Sequence, residues 1–375
     1  MTTQREQALT ALLKDEIQQK GPITFADFMQ FALYHPQLGY YAGQSNQFGE
    51  TGDFTTAPEL SPLFGQCLAE QCAQVLTLTN GDILEFGAGR GKLAVDILRR
   101  LESLKNLPNH YYILDISNAL VTYQKEFIKK ELPHLHQKVV WIKTLPEKFK
   151  GIILANEVLD AMPVHRFHYE NGEVDELFIN CKNNGFFFEK HAPSPALSAY
   201  TNRLKSFCTL CEGIYESEIN LHLDIWFQEL FSSVQTGVIL LIDYGFPEKE
   251  FYHPERHTGT VMCHYRHHAH PDPFVHIGSQ DITAHVDFTA VAHSAYDAGF
   301  DIAGFTNQAN FLIACHLMNL LESPVSTAEH FLLTQAVKKL TLPSEMGELF
   351  KVIALAKGID KDLLGFESTN QLERL

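Results

Sequence analysis

The order of apolar and polar positions from Ile83 onward predicts strands alternating with helices. The apolar runs "ILEF", "YYILDI", "VVWIK" and "GIILA" have the length and composition of buried strands. Between the first three, "GKLAVDILRRL" and "SNALVTYQKEFIKKEL" have apolar residues at helical spacing, and Ser117 fits the N-cap of the second helix. Strands and helices in this order build a parallel sheet with right-handed crossovers.

This alternation stops after Pro163 and returns near residue 222. The segment "VHRFHYENGEVDELFINCKNNGFFFEK" alternates around Asn-Gly pairs at 171–172 and 184–185, which predicts antiparallel hairpins. Farther on, "HLDIWFQELFSSV" and "DFTAVAHSAYDAGF" predict helices, and "GVILLIDYG" and "FKVIALAKG" predict buried strands. We therefore expect an α/β core with two insertions.

The chain is predicted to divide into a cap, a core and a short tail. The start, "MTTQREQALTALLKDEIQQK", has the spacing of a helix that ends near Lys20. The predicted divisions are a helical and loop cap over the ligand site (1–81), a core (82–359) with a hairpin insertion (about 163–221) and a histidine-rich insertion (about 246–286), and a C-terminal tail (360–375). The insertions could build a homodimer interface or a face that docks a substrate.

Charge and hydropathy narrow the class of partner. The 375 residues include 29 Lys and Arg against 45 Asp and Glu, a formal net charge of −16. Because nucleic-acid binding usually needs a basic face, we expect basic proteins or basic small molecules as partners and no nucleic acid. No apolar run reaches the roughly 18 residues of a membrane span. The start lacks the pattern of a signal or transit peptide, which predicts a cytoplasmic, bacterial protein.

A glycine-rich loop, "EFGAGRGK", joins the first predicted strand to the first helix of the core. Its three glycines allow a tight turn and a close approach of the backbone to a ligand, and the following helix N-terminus offers unpaired N–H groups. Ligands of open α/β sheets bind at this carboxyl edge. The residues that we predict to bind a small polar ligand here are Glu85, Gly87, Ala88, Gly89 and Gly91.

The second predicted strand ends at Asp115, where an acid can accept both hydroxyls of a ribose. We place Asp115 and the adjacent Ile116 at the cofactor. A dinucleotide fingerprint would need glycine at position 92, where this chain has Lys92. The spacing G-x-G-x-G after an acid-aromatic pair resembles that of S-adenosylmethionine enzymes. An NAD-linked oxidoreductase stays an alternative, because both cofactors would use Asp115.

The stretch "GETGDFTTAPELSPLFGQ" precedes this loop and combines acids and hydroxyls with glycines and prolines. Such a composition is not typical of a packed core. Folded over the edge of the sheet, Asp53, Thr55 and Pro58 would contact the amino-acid end of the cofactor. A solvated surface loop is the alternative interpretation.

The stretch "ANEVLDAMPV" places Asn156, Glu157 and Asp160 at the end of the fourth predicted strand. If the segment turns helical, Glu157 and Asp160 share one face. Two carboxylates can bind the fork of a guanidinium and gather its charge on two nitrogens, so that the third regains lone-pair character. We therefore predict Glu157 and Asp160 as catalytic and Asn156 as facing the cofactor. Alternatively, Asp160 caps a helix or pairs with His165 or Arg166.

Three further segments are predicted to lie at the same cleft. The segment "CHYRHHAHPDPFVHIGSQDITAH" has six histidines, but their spacing fits no common metal motif, so we predict no metal and interpret it as a polar lid. Glu212, Glu216 and Glu218 in "EGIYESEIN" are expected to add negative charge for a basic peptide. Asp243 in "LLIDYGFP" is expected to line the cleft.

An ordered set of segments between about Ile23 and Gly358 resembles the MidA family. These segments are "GDFTTAPELSPLFG", "ILEFGAGRGKLAVDIL", "YYILDIS", "NEVLDAMPVHRF", "EGIYESEIN", "LLIDYGFP", "CHYRHHAHPDP", "TAHVDFTA" and "GELFKVIALAKG". The family is that of a mitochondrial complex I assembly factor, an S-adenosylmethionine-dependent protein-arginine methyltransferase.

The resemblance implies a class I methyltransferase fold: a Rossmann-like, mostly parallel sheet of seven strands with an antiparallel last strand and helices on both faces. It also implies S-adenosyl-L-methionine as cofactor and a protein arginine, for the family one on a respiratory complex I subunit, as substrate. Two other functions stay open. The protein could be a non-catalytic assembly factor that binds S-adenosylmethionine, or a methyltransferase that acts on a small molecule.

Overall fold

The computed structural model describes residues 4–42, 56–183, 185–208, 213–321 and 326–375. Its helices are α1 Gln4–Lys20, α2 Phe25–Tyr34, α3 Ala57–Leu60, α4 Pro62–Thr79, α5 Lys92–Ser103, α6 Asn118–Glu131, α7 Pro195–Ser198, α8 Thr201–Cys208, α9 Leu223–Ser233, α10 Glu248–Phe251, α11 Phe288–Ala298, α12 Gln308–Ala314, α13 Leu317–Leu320, α14 Thr327–Thr341 and α15 Met346–Leu349. Its strands are β1 Ile23–Thr24, β2 Asp82–Phe86, β3 Tyr111–Leu114, β4 Val139–Ile142, β5 Phe149–Asn156, β6 His165–Glu170, β7 Glu173–Lys182, β8 Gly185–His191, β9 Tyr215–Ile219, β10 Val234–Phe246, β11 Met262–Tyr265, β12 His268–His270, β13 Asp281–Thr283, β14 Val286–Asp287, β15 Asp301–Asn307 and β16 Phe350–Lys357.

The main sheet has the strand order β15-β16-β10-β5-β2-β3-β4. The pairs from β10 to β4 are parallel, whereas β16 runs antiparallel to both β10 and β15. This confirms the predicted α/β fold with an antiparallel last strand. The carboxyl ends of β2, β3, β5 and β10 consequently meet at one edge of the sheet.

The central strands are apolar on both faces because both faces are covered by helices. In β5, Ile152 and Leu154 contribute to one core cluster, together with α4 and α5. The alternate residues Ile153 and Ala155 contribute to the opposite cluster, together with α9 and α11. Ser117 accepts the N–H of Leu120, which confirms the predicted N-cap of α6.

The segment after β5 forms the antiparallel hairpins that its alternation predicts. Strand β7 pairs with β6 and β8, and β6 also pairs with β9. The first turn contains Asn171 and Gly172, both with positive φ (51° and 87°), as a tight hairpin turn requires. The short strand β1 adds to this second sheet through the pair Ile23↔Ile179.

The cap and both insertions share one hydrophobic core, although the sequence places them in three separate segments. This core joins the buried faces of α1 and α2 to Ile179 of β7, Cys263 of β11 and Ile282 of β13. Helices α1 and α2 and the two insertions therefore form a single packed unit, the second lobe, which faces the carboxyl edge of the main sheet.

Two predicted divisions differ from the packing. Helix α4 falls within the predicted cap, yet its apolar face lies in the main core against α5. The predicted tail also packs on the core, because Phe366 is 4% exposed and Asn370 Oδ1 accepts the N–H of Phe305 at the β15 edge. No helix among the described residues combines the length and apolarity that a bilayer span needs.

Candidate active site

A cavity of about 250 Å³ opens at the carboxyl edge of β2, β3 and β5. The main sheet forms one side of this cavity and the second lobe forms the other. The predicted site residues that line it are Pro58, Glu85, Gly87, Ala88, Gly89, Asp115, Ile116, Asn156, Glu157 and Asp160. Asp53 and Thr55, which are also predicted site residues, lie outside the described part of the chain.

The glycine loop forms the floor of the cavity. Gly87 and Gly89 have φ of 58° and 53°, a region that L side chains rarely adopt. A Cβ atom on Gly89 would meet nothing within 4 Å, so this glycine leaves room that a ligand can fill. Gly91 does not line the cavity, and its role as a cofactor contact stays a prediction. Gly91 is the N-cap of α5 and has φ of 80°. A Cβ atom on Gly91 would lie 3.3 Å from the Ile128 side chain.

Two carboxyl groups at this end of the cavity already have partners within the chain. Glu85 accepts the Tyr111 hydroxyl at 2.7 Å, and burial raises the pKa of Glu85 to about 8. Asp115 accepts the N–H of Ser117 at 2.8 Å and the amide of Gln124 at 2.8 Å. Burial raises the pKa of Asp115, and these two bonds oppose the shift. Both acidic side chains are thus held in defined orientations.

The segment after β5 is a turn and not a helix, so the expected helical face for Glu157 and Asp160 is wrong. Glu157 has φ of 52°, and its N–H still bonds the Ile242 carbonyl of β10 at 2.9 Å. The next three N–H groups, of residues 158–160, all donate to Asp243 Oδ2. The turn nevertheless places both carboxyl groups in the cavity wall.

Asp160 is 4% exposed and its two oxygens have different surroundings. Oδ2 accepts the Tyr244 hydroxyl at 2.5 Å, whereas Oδ1 has no hydrogen-bond partner among the described residues. Asn156 resembles it: Nδ2 donates to Glu157 Oε1 at 3.1 Å, and Oδ1 has no partner there. Two buried acceptors at the cavity wall therefore require donors from a ligand or solvent.

The alternative interpretations of Asp160 do not hold in the structure. His165 bonds Glu176 at 2.6 Å, and Arg166 pairs with Glu216 at 3.4 Å. Neither partner is Asp160. No helix in the described chain begins at Asp160 either.

Burial makes the two candidate catalytic carboxyl groups weak acids. Burial and the neighbouring Asp160 carboxyl raise the pKa of Glu157 to about 8. Burial raises the pKa of Asp160 to about 6, against the bond from Tyr244. A bound cation would favour the ionised form of both groups.

Three further residues of the cavity wall were not singled out in the sequence. Tyr34 and Tyr41 stack with ring centroids 5.3 Å apart. Tyr34 donates to the Ala161 carbonyl at 2.8 Å, and Tyr41 donates to Asp281 at 3.2 Å. The only signal for the tyrosines was the aromatic-rich stretch around "YHPQLGYY". Asp281 lies in the histidine-rich insertion, and no sequence pattern marked it as a site residue.

The other candidates for the cleft lie elsewhere. Asp243 is 1% exposed beneath the 157–160 turn and does not line the cavity. Glu216 bonds His168 and Glu218 bonds Thr260, so both belong to the second lobe. Glu212 lies outside the described residues.

The histidine-rich insertion contributes Asp281 to the wall and packs its apolar residues into the second lobe. In the described chain, no group of three His, Cys, Asp or Glu side chains is arranged to hold a metal ion.

The cavity residues fit S-adenosyl-L-methionine on three observations. Gly89 leaves open space beside the helix α5 N-terminus. Each Asp115 oxygen accepts one bond and retains a lone pair that a ribose hydroxyl can use. Leu114, Ile116 and Leu120 line the cavity around Asp115 and offer apolar surface to a flat adenine ring.

Comparisons with known proteins agree with this fit. Residues 67–306 match the model of the family Methyltransf_28, described as S-adenosyl-L-methionine-dependent methyltransferase. A crystal structure of a Burkholderia thailandensis protein bound to S-adenosyl-homocysteine superposes with a TM-score of 0.95. It is 40% identical, and the match covers 99% of this chain and 97% of that one.

Two curated relatives match over most of their length. "Protein arginine methyltransferase NDUFAF7 homolog, mitochondrial" of Drosophila melanogaster is 28% identical, over 94% of this chain and 85% of the relative. "Protein arginine methyltransferase NDUFAF7, mitochondrial" of Homo sapiens is 27% identical, over 93% of this chain and 84% of the relative.

Proposed function

Because this chain belongs to the S-adenosyl-L-methionine-dependent methyltransferase family that it matches over residues 67–306, we propose that its methyl acceptor is an arginine side chain of a protein. The observation that carries the proposal is the buried Asp160 Oδ1, which lines the cavity without a hydrogen-bond partner among the described residues. The names of the fly and human relatives support the same acceptor.

Recognition of a guanidinium uses the carboxyl groups of the cavity wall, whose ionised form a bound cation would favour. Glu157 and Asp160 offer carboxylate oxygens to the N–H groups of the fork, and Asp281 adds a third negative charge. The stacked rings of Tyr34 and Tyr41 offer flat apolar surface to a flat cation. A neutral small molecule would leave these carboxyl groups buried without compensation.

Charge placement would make the guanidinium nucleophilic. When bound, S-adenosylmethionine supplies an electrophilic methyl group. Carboxylates on two of the three nitrogens hold the positive charge away from the third, which then has the lone pair that displacement needs. Holding the acceptor in place contributes further to the rate.

One proton must leave when a guanidinium nitrogen gains a methyl group, because the methylated product keeps a single positive charge. Glu157 lies at the cavity wall, and the pKa of its carboxyl is raised to about 8 by burial. A group with a pKa near neutrality suits general-base catalysis. We assign the uptake of this proton to Glu157.

Labelling tests this proposal. Purified protein and radiolabelled S-adenosylmethionine are added to lysate of cells that lack the gene, and the labelled protein is then hydrolysed in acid. Label in methylarginine is the expected result, and Glu157→Gln protein is the matched control. Label in another amino acid or a small molecule would contradict the arginine acceptor but keep methyl transfer.

Absence of label, with S-adenosylhomocysteine still bound, would contradict catalysis and favour an assembly role. The labelled band identifies the target protein, for which the family resemblance predicts a respiratory complex I subunit. Cytoplasmic location, bacterial source and a homodimer stay predictions from the sequence.

A further inference from the structure

Asp243 lies directly beneath the turn that carries Glu157 and Asp160. Its Oδ2 accepts three successive backbone N–H groups, of residues 158–160, at 3.2, 3.0 and 3.2 Å. Its Oδ1 accepts the N–H of Tyr244 at 2.9 Å. Consecutive N–H groups that converge on one anion form a backbone nest. The carboxyl group of Asp243 is therefore the centre on which this turn is built. Burial and the neighbouring Asp160 and Glu157 carboxyl groups raise the pKa of Asp243 well above its usual value, and the bonds from the Asp160 and Tyr244 N–H groups oppose this rise.

The turn needs such a centre because the chain leaves the sheet within one residue. Glu157 still donates to the Ile242 carbonyl of β10, as a strand residue would. Its φ of 52° then reverses the chain, a left-handed conformation that is unfavourable for a non-glycine residue. The three N–H groups that follow have lost their strand partners, and Asp243 replaces them.

Tyr244 sets the orientation of the Asp160 carboxyl group. Its hydroxyl donates to Oδ2 at 2.5 Å. The tyrosine ring is itself fixed by edge contacts with His285 (centroids 5.2 Å apart) and Phe350 (5.5 Å). Since Oδ2 is taken, Oδ1 is the oxygen left for a ligand.

We propose that Asp243 and Tyr244 are positioning residues for methyl transfer. Asp243 holds the turn that aims Glu157 and Asp160 at the acceptor, and Tyr244 selects Oδ1 of Asp160 as the binding oxygen. The inference rests on the proposed function, because it assigns these two carboxyl groups to the acceptor. It extends that function to two side chains of β10 that do not line the cavity.

Several titratable groups lie around Asp160 and would share its response to pH. They are Glu157 of the same turn, Asp243 and Tyr244 of β10, Tyr34 and Tyr41 of the cap, and Asp281 of β13. Because Asp160 interacts with both Asp243 and Glu157, the three carboxyl groups titrate together. Loss of the hydroxyl bond to Asp160 should raise the pKa at which this group of carboxyls ionises.

The test is the pH dependence of methyl transfer in Tyr244→Phe, with label from S-adenosylmethionine and the same lysate. Loss of a hydrogen bond to an ionised group should raise the midpoint of the acid limb by about one to two pH units. Affinity for S-adenosylhomocysteine should stay within about threefold. An unchanged midpoint would overturn the role of Tyr244.

Tyr252→Phe is the matched control. This buried tyrosine donates to a carbonyl, that of Glu218, and packs in a hydrophobic cluster with Phe167 and Phe251. The same atom is removed, yet the acid limb should not move. A similar shift in both variants would show a general effect of removing a buried hydroxyl and would also overturn the assignment.

Asp243→Asn tests the turn itself, because it keeps the shape and replaces one of the two acceptor oxygens with an NH2 group, which cannot accept a backbone N–H. Transfer should fall about tenfold or more while S-adenosylhomocysteine still binds. Wild-type transfer would contradict the role of Asp243. If this variant does not fold, Asp243→Glu is measured in the same assay, because the longer side chain moves the carboxyl group out of register with the three N–H groups; wild-type transfer in it would likewise contradict the role of Asp243. The labelled amino acid tests the proposed acceptor separately, because the shift in pH is measurable on any acceptor.

Discussion

The two ends of the cavity differ in how they are built. At the cofactor end, residues 85–91 and Asp115 follow directly from β2 and β3, and the acids there bond partners within the chain. At the proposed acceptor end, Asp160, Asp281 and Tyr41 come from three distant segments. Buried oxygens there, such as Asp160 Oδ1, have no partner among the described residues.

This difference predicts different functions for the two ends of the cavity. Side chains that are already satisfied form a fixed floor on which a ligand can be bound in one orientation. Unsatisfied acceptors are costly until a donor arrives, so they favour binding of a cation. Changes at the first end should therefore alter cofactor affinity, and changes at the second should alter methyl transfer.

The largest effect is expected for Glu157→Gln. Loss of the carboxylate should lower methyl transfer by about 100-fold or more, because it removes charge stabilisation of the acceptor and the proton acceptor. Binding of S-adenosylhomocysteine, measured by calorimetry, should change by less than about threefold. Asp115→Asn should show the opposite profile, with affinity reduced about tenfold. If Glu157→Gln lost methyl transfer and affinity for S-adenosylhomocysteine equally, the two ends of the cavity would not have separate functions.

A smaller effect is expected for Gly89→Ala. The positive φ of Gly89 makes alanine unfavourable by about 1–2 kcal/mol, and the new methyl group projects into the open space of the cavity. Affinity for S-adenosylhomocysteine should fall about tenfold. Gly172→Ala is the matched control, since Gly172 also has positive φ and open space but lies in the β6–β7 turn. Similar affinities in both variants would contradict a cofactor contact at Gly89.

The smallest effect concerns stability against pH. The pKa of Glu157 is raised by burial from 4.5 to about 8, so the folded protein holds an extra proton between these values. The free energy of unfolding of ligand-free protein should therefore fall as pH rises from about 5 to 8. Glu157→Gln should remove part of this fall and melt a few degrees higher at pH 8.

The same melting series at pH 5 should show little difference between Glu157→Gln and the wild type. Exchange of the exposed Glu126 for Gln is the control and should leave the slope with pH unchanged. If the free energy of unfolding of Glu157→Gln fell with pH as steeply as that of the wild type, the group with the raised pKa would be another residue of the cavity.

The fold was predictable because each core element has its own pattern. Four apolar runs became β2, β3, β4 and β5, and the Asn171-Gly172 pair became a hairpin turn. The union of the cap with both insertions was not predictable. The core of this unit joins residues as distant in sequence as Ile23 and Ile282. The spacing of apolar residues predicts which face of an element is buried, but it does not predict which other element packs against that face.

The site divides in the same way. The residue types and order of "EFGAGRGK" by themselves determined a ligand loop at a strand end, because tight turns and helix N-termini are local features. Glu157 and Asp160 both line the cavity, although the segment that carries them forms a turn and not the helix on which their shared face depended. Only the tertiary structure decided the turn, since its N–H groups bond an aspartate more than eighty residues away. It also brought Tyr34, Tyr41 and Asp281 to the wall, because contacts between separate lobes depend on the packing of whole elements.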